Sequence, residues 1–374
     1  MNGTAHTLIQ MPAGVQCFVG EEARVRRAVE EQVVSVFEGW DFQEIIPPLF
    51  DYADVFASAD LTPRTYSFVG RDGSLLALRP DFTSLLAKIA AGRLSQSPLP
   101  LRLYYSGEVL RYEPPRAGRR SELYQMGLEH LGGEPRAADC EVLAVAAECL
   151  ERLGVNGWVL ALGHVGVFNG ILAGAPLEEA QWLALRDRVE SKDEEGVAEA
   201  ARAARLSPTV SAALVGLTGL TGDPRVLDKA EDALRGFAPA LAAVSELRSV
   251  VAALDEAGLR GRLAVDLGEV RGLDYYTGLV FRAYAPGLGS EVGGGGRYDA
   301  LLARFGRPLP AVGFMLGLDR LALLLERQGV FAPAVPPAPE PVGGAALGSD
   351  LARARGLREK GRRVRFGAGP ETAR

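Results

Sequence analysis

Residues 271–276 read Arg-Gly-Leu-Asp-Tyr-Tyr, and a second stretch, Gly-Gly-Arg-Tyr-Asp, follows at residues 295–299. The residue pattern around them predicts strands at Leu263–Leu267, Leu273–Tyr284 and Ala311–Met315. The two stretches therefore lie in a region of predicted β-sheet.

A helix predicted at Leu318–Arg327 ends this region, and its leucines lie nearly all round it. A helix that is apolar on every side is expected to be buried. Arg320 lies in its first turn, and a buried guanidinium without a partner is costly. We therefore expect Arg320 to face an anion or a carboxylate.

Two neighbouring strands predicted at Leu101–Glu113 and Glu122–His130 carry polar residues with a period of two. Arg111 and Glu113 share one face of the first strand, and Gln125, Gly127 and Glu129 share one face of the second. Residues 114–121, which include three arginines, are predicted to form a mobile basic hairpin loop between them. These polar faces favour a sheet floor that binds a polar ligand.

The remaining segments frame this predicted sheet. A helix at Glu21–Glu38 precedes a strand at Phe42–Ile46, which ends at two prolines, and another helix is predicted to start near Thr83. Residues 141–259 are predicted to be a mostly helical cover without chemistry of its own. Residues 331–341 contain five prolines and are predicted to be a linker to a strand-helix-strand unit over residues 343–366.

The composition excludes several classes of protein. Of 374 residues 48% are apolar, yet no apolar run approaches the roughly 18 residues that cross a bilayer. No signal peptide is evident, and Cys17, Cys140 and Cys149 lack a CxxC spacing, so we expect reduced thiols in the cytoplasm. These cysteines and three scattered histidines predict no metal site. The net charge of −6 leans against a nucleic-acid partner.

The order of these elements resembles the three sequence motifs of class II aminoacyl-tRNA synthetases. The stretches at 271–276 and 295–299 are typical of the histidyl branch, so the chain is similar to histidyl-tRNA synthetases from about Pro12 to Glu326. The resemblance implies an α+β fold, a six- or seven-stranded antiparallel sheet flanked by helices. It also implies a homodimer through the first motif, at about Gly39–Pro48.

The same resemblance divides the chain into domains. Residues 1–326 correspond to the synthetase catalytic domain, with a helical insertion at roughly 170–255. A proline-rich linker at 327–341 leads to a truncated C-terminal remnant at 342–374, where a synthetase carries its anticodon-binding domain.

The resemblance further implies a histidine pocket on the sheet. Family positions put Asp81, Thr83, Gln125 and Glu129 around the amino group and carboxylate, Tyr275 and Tyr276 beside the imidazole, and Arg271 at the carboxylate. The residues expected to bind histidine are Asp81, Thr83, Arg111, Gln125, Glu129, Arg271, Tyr275 and Tyr276. Glu113 and Arg320 match contacts to ATP and are read as vestigial. No catalytic residue and no cofactor are expected.

Simpler roles stay open for several of these residues. Asp81 has the position of a helix cap near Thr83. Tyr275 and Tyr276 adjoin on a predicted strand, so they are expected to face opposite sides, and one of them then belongs to the core. Arg79 and Arg111 are also placed to form sheet salt bridges. The glycines at 293–296 lack the Lys-Ser/Thr of a phosphate loop, which favours close strand packing.

Three departures from the synthetase pattern favour a regulator. Pro114 stands where synthetases carry an arginine after the motif glutamate, and Ser121 replaces a further arginine. Residues 79–83 read Arg-Pro-Asp-Phe-Thr instead of Arg-Pro-Glu-Gly-Thr, and the anticodon-binding domain is reduced to a remnant.

Together these departures resemble the family of regulatory subunits that pair with a short-form ATP phosphoribosyltransferase. That resemblance implies a hetero-oligomer with the catalytic subunit, histidine as a feedback ligand, no aminoacylation, and neither a membrane nor a tRNA partner. The alternatives are a truncated histidyl-tRNA synthetase and an RNA-binding regulator descended from one.

Overall fold

The computed structural model describes residues 11–12, 14–58, 61–112, 120–270, 275–331 and 336–367. The chain divides into two compact units, one up to Phe331 and one after it. Among the described residues, no helix is long and apolar enough to cross a membrane.

Strands of the first unit form one large sheet and one small one. They are β1 (Gln43–Glu44), β2 (Phe50–Tyr52), β3 (Ser67–Val69), β4 (Leu75–Leu78), β5 (Leu101–Leu110), β6 (Glu122–Leu131), β7 (Val159–His164), β8 (Thr221–Gly222), β9 (Leu263–Asp266), β10 (Leu279–Tyr284), β11 (Gly293–Arg297) and β12 (Ala311–Gly317). The large sheet has the order β1-β5-β6-β12-β11-β10-β7-β9-β8, and the small sheet has the order β2-β4-β3.

The α+β class with a synthetase-like sheet is confirmed, but the strand count was wrong. The six central strands, from β5 to β7 in sheet order, pair antiparallel as expected. The described residues nevertheless give nine strands in a mixed sheet, since β1 pairs with β5 and β9 with β7 in parallel. β1 and β8 are two residues each, too short to show a sequence pattern, and β7 lies inside the segment that was predicted to be mostly helical.

The helices of the first unit have the following bounds. They are α1 (Gly20–Gly39), α2 (Thr83–Ala91), α3 (Pro135–Arg152), α4 (Val165–Ile171), α5 (Glu179–Glu190), α6 (Glu194–Ala203), α7 (Pro208–Thr218), α8 (Val226–Ala233), α9 (Ala238–Leu254) and α10 (Leu318–Gln328). Short 3-10 turns lie at Ala53–Phe56, Thr62–Arg64 and Leu302–Phe305, and a π turn follows α9 at Asp255–Leu259.

The large sheet separates two hydrophobic cores. Met126 and Leu128 of β6 belong to the larger core, with apolar residues of α1, α3, α9 and α10. The smaller core, on α2 and the turn at Leu302–Phe305, includes Tyr105 and Leu131. Because side chains alternate along a strand, Gln125 and Glu129 face away from the larger core. The predicted shared face of Gln125, Gly127 and Glu129 is therefore confirmed.

Two local predictions were wrong in detail. The strand predicted from Leu273 begins at Leu279, so Tyr275 and Tyr276 precede it and are free of strict alternation. Helix α10 is not buried all round, because Leu323 and Arg320 are exposed while Leu321 and Leu324 are buried. Its apolar residues follow one face, which a count of leucines does not reveal.

The second unit is a strand-helix-strand motif. β13 (Glu340–Val342) pairs in parallel with β14 (Val364–Phe366), and α11 (Leu347–Glu359) connects them. The predicted motif is confirmed in kind, but Glu340 and Pro341, two of the three residues of its first strand, lie in the segment that was predicted to be a linker.

Candidate functional site

A cavity of about 770 Å³ lies on the face of the large sheet that carries the smaller core. Its floor depends on glycines, because a Cβ on Gly295 would lie 2.1 Å from the Gly313 carbonyl oxygen. A Cβ on Gly313 would lie 1.7 Å from Oε2 of Glu129, and one on Gly127 would lie 2.5 Å from the Tyr105 hydroxyl. The glycines thus permit close strand packing, as predicted, and also leave room for the cavity side chains.

Glu129 of β6 is the best-supported side chain of the cavity. Thr83 Oγ1 donates a hydrogen bond of 2.8 Å to its Oε1, and the Tyr298 hydroxyl donates to its Oε2. Burial raises the pKa of Glu129 to about 8, although both of these hydrogen bonds oppose the rise. A cationic ligand would favour the ionised carboxylate, so the site is built to accept positive charge.

Asp81 is a second buried carboxyl at the same place. Its Oδ2 accepts a hydrogen bond of 3.1 Å from the Ser84 hydroxyl, while its Oδ1 is buried with no hydrogen-bond partner among the described residues. Burial raises the pKa of Asp81, and Arg111 and Ser84 oppose the rise. A buried oxygen without a donor is costly, so one half of Asp81 supports the start of α2 and the other half is left for a ligand.

Aromatic rings form the walls around these carboxyls. Phe82 and Tyr105 are stacked with ring centroids 4.0 Å apart. Tyr275 contacts Tyr276 and Tyr298 edge to face, at 5.2 and 5.7 Å. Both Tyr275 and Tyr276 line the cavity, so the expectation that they face opposite sides was wrong, because neither lies on a strand.

Tyr298 and Tyr105 are cavity residues that the sequence analysis missed. Tyr298 stands in the quoted stretch at 295–299, which carried a family resemblance but no assigned role. Tyr105 could have been found by alternation, because it is six residues before Arg111 and a period of two puts both on one face.

The two arginines near Asp81 differ in role. Arg79 is buried and donates to backbone oxygens, at 2.6 Å to Glu108 and 2.9 Å to Pro47, so it ties β5 to the Pro47-Pro48 turn. These backbone contacts differ from the sheet salt bridge that was considered for it. Arg111 lines the cavity and donates to the Pro80 carbonyl oxygen at 2.7 Å.

Ion pairs dominate the other end of the cavity. Arg320 Nη1 lies 2.6 Å from Glu291 Oε1, and Arg282 contacts Glu269 at 3.0 Å and Glu291 at 3.5 Å. The predicted carboxylate partner of Arg320 is confirmed, but its predicted burial was wrong, because 44% of its side chain is exposed. Helix α5 adds Arg186, Asp187 and Glu190 to the lining.

Comparisons with known proteins show the family of this chain. The family model of histidyl-tRNA synthetase matches residues 14–321. An ATP phosphoribosyltransferase regulatory subunit from Moorella thermoacetica is 40% identical over 359 residues, which cover 95% of this chain and 91% of the relative. One from Desulforamulus reducens is 38% identical, covering 85% of this chain and 79% of the relative. The chain belongs to the family of ATP phosphoribosyltransferase regulatory subunits.

A solved structure is similar to this chain over nearly its whole length. The ATP phosphoribosyltransferase regulatory subunit/histidyl-tRNA synthetase from Bacillus halodurans superposes with a TM-score of 0.85 at 26% identity. The match covers 98% of this chain and 94% of that chain.

In the present chain, most residues that were expected to bind histidine line the same cavity. Its lining includes Asp81, Thr83, Arg111, Gln125, Glu129, Tyr275 and Tyr276, and also Arg320. Arg271 and Glu113 lie outside the described residues. Within the described part of the chain, no group of three His, Cys, Asp or Glu side chains is placed to hold a metal ion.

Proposed function

We propose that this chain is the non-catalytic, histidine-sensing subunit that regulates ATP phosphoribosyltransferase, the enzyme of the first step of histidine biosynthesis. One observation carries the ligand assignment. Glu129 is buried, is fixed by the hydroxyls of Thr83 and Tyr298, and lies in the same cavity as the Asp81 oxygen that has no partner among the described residues. Two carboxyls held in an aromatic cavity suit a small ligand with an ammonium group and an aromatic ring.

Histidine fits this cavity by chemistry. Its ammonium would lie between Asp81, Thr83 and Glu129, where it offers donors to carboxylate oxygens and favours their ionised forms. Tyr275 and Tyr276 would flank the imidazole, and Gln125 and Arg271 would contact the carboxylate. A pocket that binds through such hydrogen bonds rejects analogues that leave its polar groups unpaired.

The absence of aminoacylation is part of the proposal. Activation of histidine needs cationic groups around the ATP phosphates. Pro114 and Ser121 replace two of the arginines that synthetases carry, and Arg282 and Arg320 are already paired with Glu269 and Glu291. A guanidinium that is paired within the protein must lose that partner before it can bind a phosphate.

A truncated histidyl-tRNA synthetase is the second candidate. One observation favours it, because Arg111 and Arg320, which match ATP contacts of the synthetase motifs, line the same cavity as Glu129. Under the regulatory proposal, neither unit of the chain is expected to bind tRNA. Both candidate functions imply a cytoplasmic protein.

The proposed assembly is a hetero-oligomer with the short-form catalytic subunit, built on a homodimer through residues 39–48. Large apolar side chains in and near that segment are exposed and support a protein contact there, and the most exposed is Ile46 at 85%. The others are Leu49, Phe50, Phe68, Val69 and Leu75. Histidine would regulate the enzyme only if it bound two states of this assembly with different affinity.

Histidine-dependent exchange of pyrophosphate into ATP tests the proposal, with protein freed of the host synthetase. We expect no exchange, together with histidine binding by calorimetry in the same sample. We also expect the chain to activate a short-form phosphoribosyltransferase and to make it sensitive to histidine. Exchange in proportion to this protein would favour the truncated synthetase, and absence of histidine binding would refute the sensor.

A further inference from the structure

A buried ion network lies behind the cavity and contributes nothing to its lining. Arg297, the last residue of β11, contacts Asp139 Oδ1 of α3 at 2.7 Å and the Pro135 carbonyl oxygen at 2.6 Å. Its Nη1 lies 2.9 Å from Asp299 Oδ1. Arg297 and Asp139 are both buried, and a buried ion pair is weak evidence for stability because desolvation offsets the attraction. Its presence calls for another reason.

Two members of the network flank Tyr298, the residue that contacts Glu129, in the sequence. Tyr298 lies between Arg297 and Asp299, so both of its neighbours are fixed by charged hydrogen bonds. Asp299 Oδ1 also accepts from the Ala311 backbone N–H at 2.8 Å. The phenol of Tyr298 therefore extends from a backbone segment that is held on both sides.

The same segment also holds Tyr275 and Tyr276, two further cavity tyrosines. The backbone N–H of Thr277 donates to the Arg297 carbonyl oxygen at 2.7 Å, and its Oγ1 accepts from the Asp299 N–H at 3.0 Å. Thr277 directly follows Tyr275 and Tyr276 in the sequence. Tyr275, Tyr276 and Tyr298 are thus all tied to one backbone segment, which Arg297 anchors on α3.

We propose that Arg297, Asp139 and Thr277 are positioning residues, which hold the Tyr298 hydroxyl on Glu129 and thereby set the affinity of the cavity for its amino-acid ligand. The inference rests on the proposed histidine site, since it concerns the residues behind that site. A hydrogen bond weakens steeply when its angle or length changes, so a small displacement of the backbone at Tyr298 is enough to alter Glu129. Supporting residues of this kind fix the geometry of the groups that touch a ligand.

The test compares two substitutions on the same helix. Asp139→Asn removes the charge that holds Arg297, whereas Glu141→Gln removes the partner of Arg102 on β5, which is not part of the cavity lining. We expect Asp139→Asn to weaken histidine binding about tenfold in calorimetry, and Glu141→Gln to change it less than about twofold. Thermal melts of both variants report any general loss of stability.

A double-mutant cycle separates positioning from a merely structural role. If Asp139 acts through the Tyr298 hydroxyl, then Asp139→Asn should cost less than about twofold in a Tyr298→Phe background. Thr277→Val provides a second variant in case Asp139→Asn does not fold, because Thr277 is exposed and its loss is expected to weaken binding about threefold.

Each outcome decides between the two proposals. Histidine binding by the wild type and by Asp139→Asn with equal affinity would overturn the positioning role and leave the histidine site standing. Additive losses in the cycle would do the same. Absence of histidine binding by the wild-type chain would overturn the proposed function, and the positioning role with it.

Discussion

The ionisable side chains at the two ends of the cavity have different kinds of partners. At one end Asp81 and Glu129 are held by neutral hydroxyls, burial raises the pKa of both, and one carboxyl oxygen has no partner among the described residues. At the other end Arg282 and Arg320 are paired with Glu269 and Glu291. The first end therefore needs a cation to complete it, while the guanidiniums of the second are neutralised within the protein.

Removal of the Glu129 carboxylate is expected to have the largest effect on histidine binding and is the strongest test of this difference between the ends. We expect Glu129→Ala to weaken histidine binding about 100-fold, because charge-assisted hydrogen bonds contribute about 1.5–3 kcal/mol each. The chain should stay folded, since the same change also removes a buried acid. Calorimetry and circular dichroism measure the two effects, and Glu129→Gln, which keeps the shape, is expected to fall between Ala and wild type. Wild-type affinity in Glu129→Ala would remove the carboxyl from the site.

The raised pKa of Glu129 makes a second prediction about stability. The folded chain keeps this proton up to about pH 8, whereas an unfolded chain loses it near the ordinary value of 4.5. The folded state therefore binds more protons between these values, so the contribution of Glu129 to stability is complete below pH 4.5 and is lost as the pH rises through 8.

The measurement compares the unfolding free energy of wild type and Glu129→Gln without ligand. The stability of wild type relative to the variant should fall by roughly 2–4 kcal/mol from pH 4.5 to 8 and stay level above it. Asp139 titrates in both proteins, so its contribution cancels in the difference. A difference that does not change with pH would mean that Glu129 is ionised in the ligand-free protein, and the contrast between the two ends would disappear.

A smaller effect is expected at the ion-paired end. Glu291→Gln removes the charge partner of Arg320 and one of the two partners of Arg282. We expect pyrophosphate to bind about fivefold more tightly to the variant, since released guanidiniums can hold phosphate oxygens. Histidine affinity should change less than about twofold.

The control for Glu291→Gln is Glu326→Gln, an exposed carboxylate on α10 that is not part of the cavity lining and gives the same change in net charge. Equal pyrophosphate affinity in both variants would show that internal ion pairs do not separate the two ends.

The two ends of the cavity differ in how many of their residues and contacts could be predicted from the sequence. Period-two alternation put Gln125 and Glu129 on one face, and family positions added Asp81 and Thr83, so most of the cavity end that contains Asp81 and Glu129 was predictable. The contact between Tyr298 and Glu129 was not, because it joins β6 to the end of β11 across 169 positions of the chain. The pairing of Arg282 with Glu269 depends equally on how strands align, which local patterns do not encode.

The fold divides in the same way. Long periodic elements such as α1 and β5 were found close to their observed bounds, whereas β1 and β8, at two residues each, have no period to detect. Tyr275 and Tyr276 were assigned to the strand predicted at Leu273–Tyr284, which also includes the residues of β10. Only the backbone could show that the strand begins at Leu279.

Removal of the second unit is expected to have the smallest effect on histidine binding. It tests whether both ends of the cavity are formed by the first unit alone. All lining residues of the cavity lie between Leu61 and Arg320, and the boundary between units follows Phe331. A chain that ends at Phe331 should bind histidine within about twofold of the full chain and should still fold cooperatively, because it keeps every lining residue and the cores of the first unit. Loss of binding by a folded truncated chain would assign part of the site to the second unit, and the site could then no longer be understood from the sheet alone.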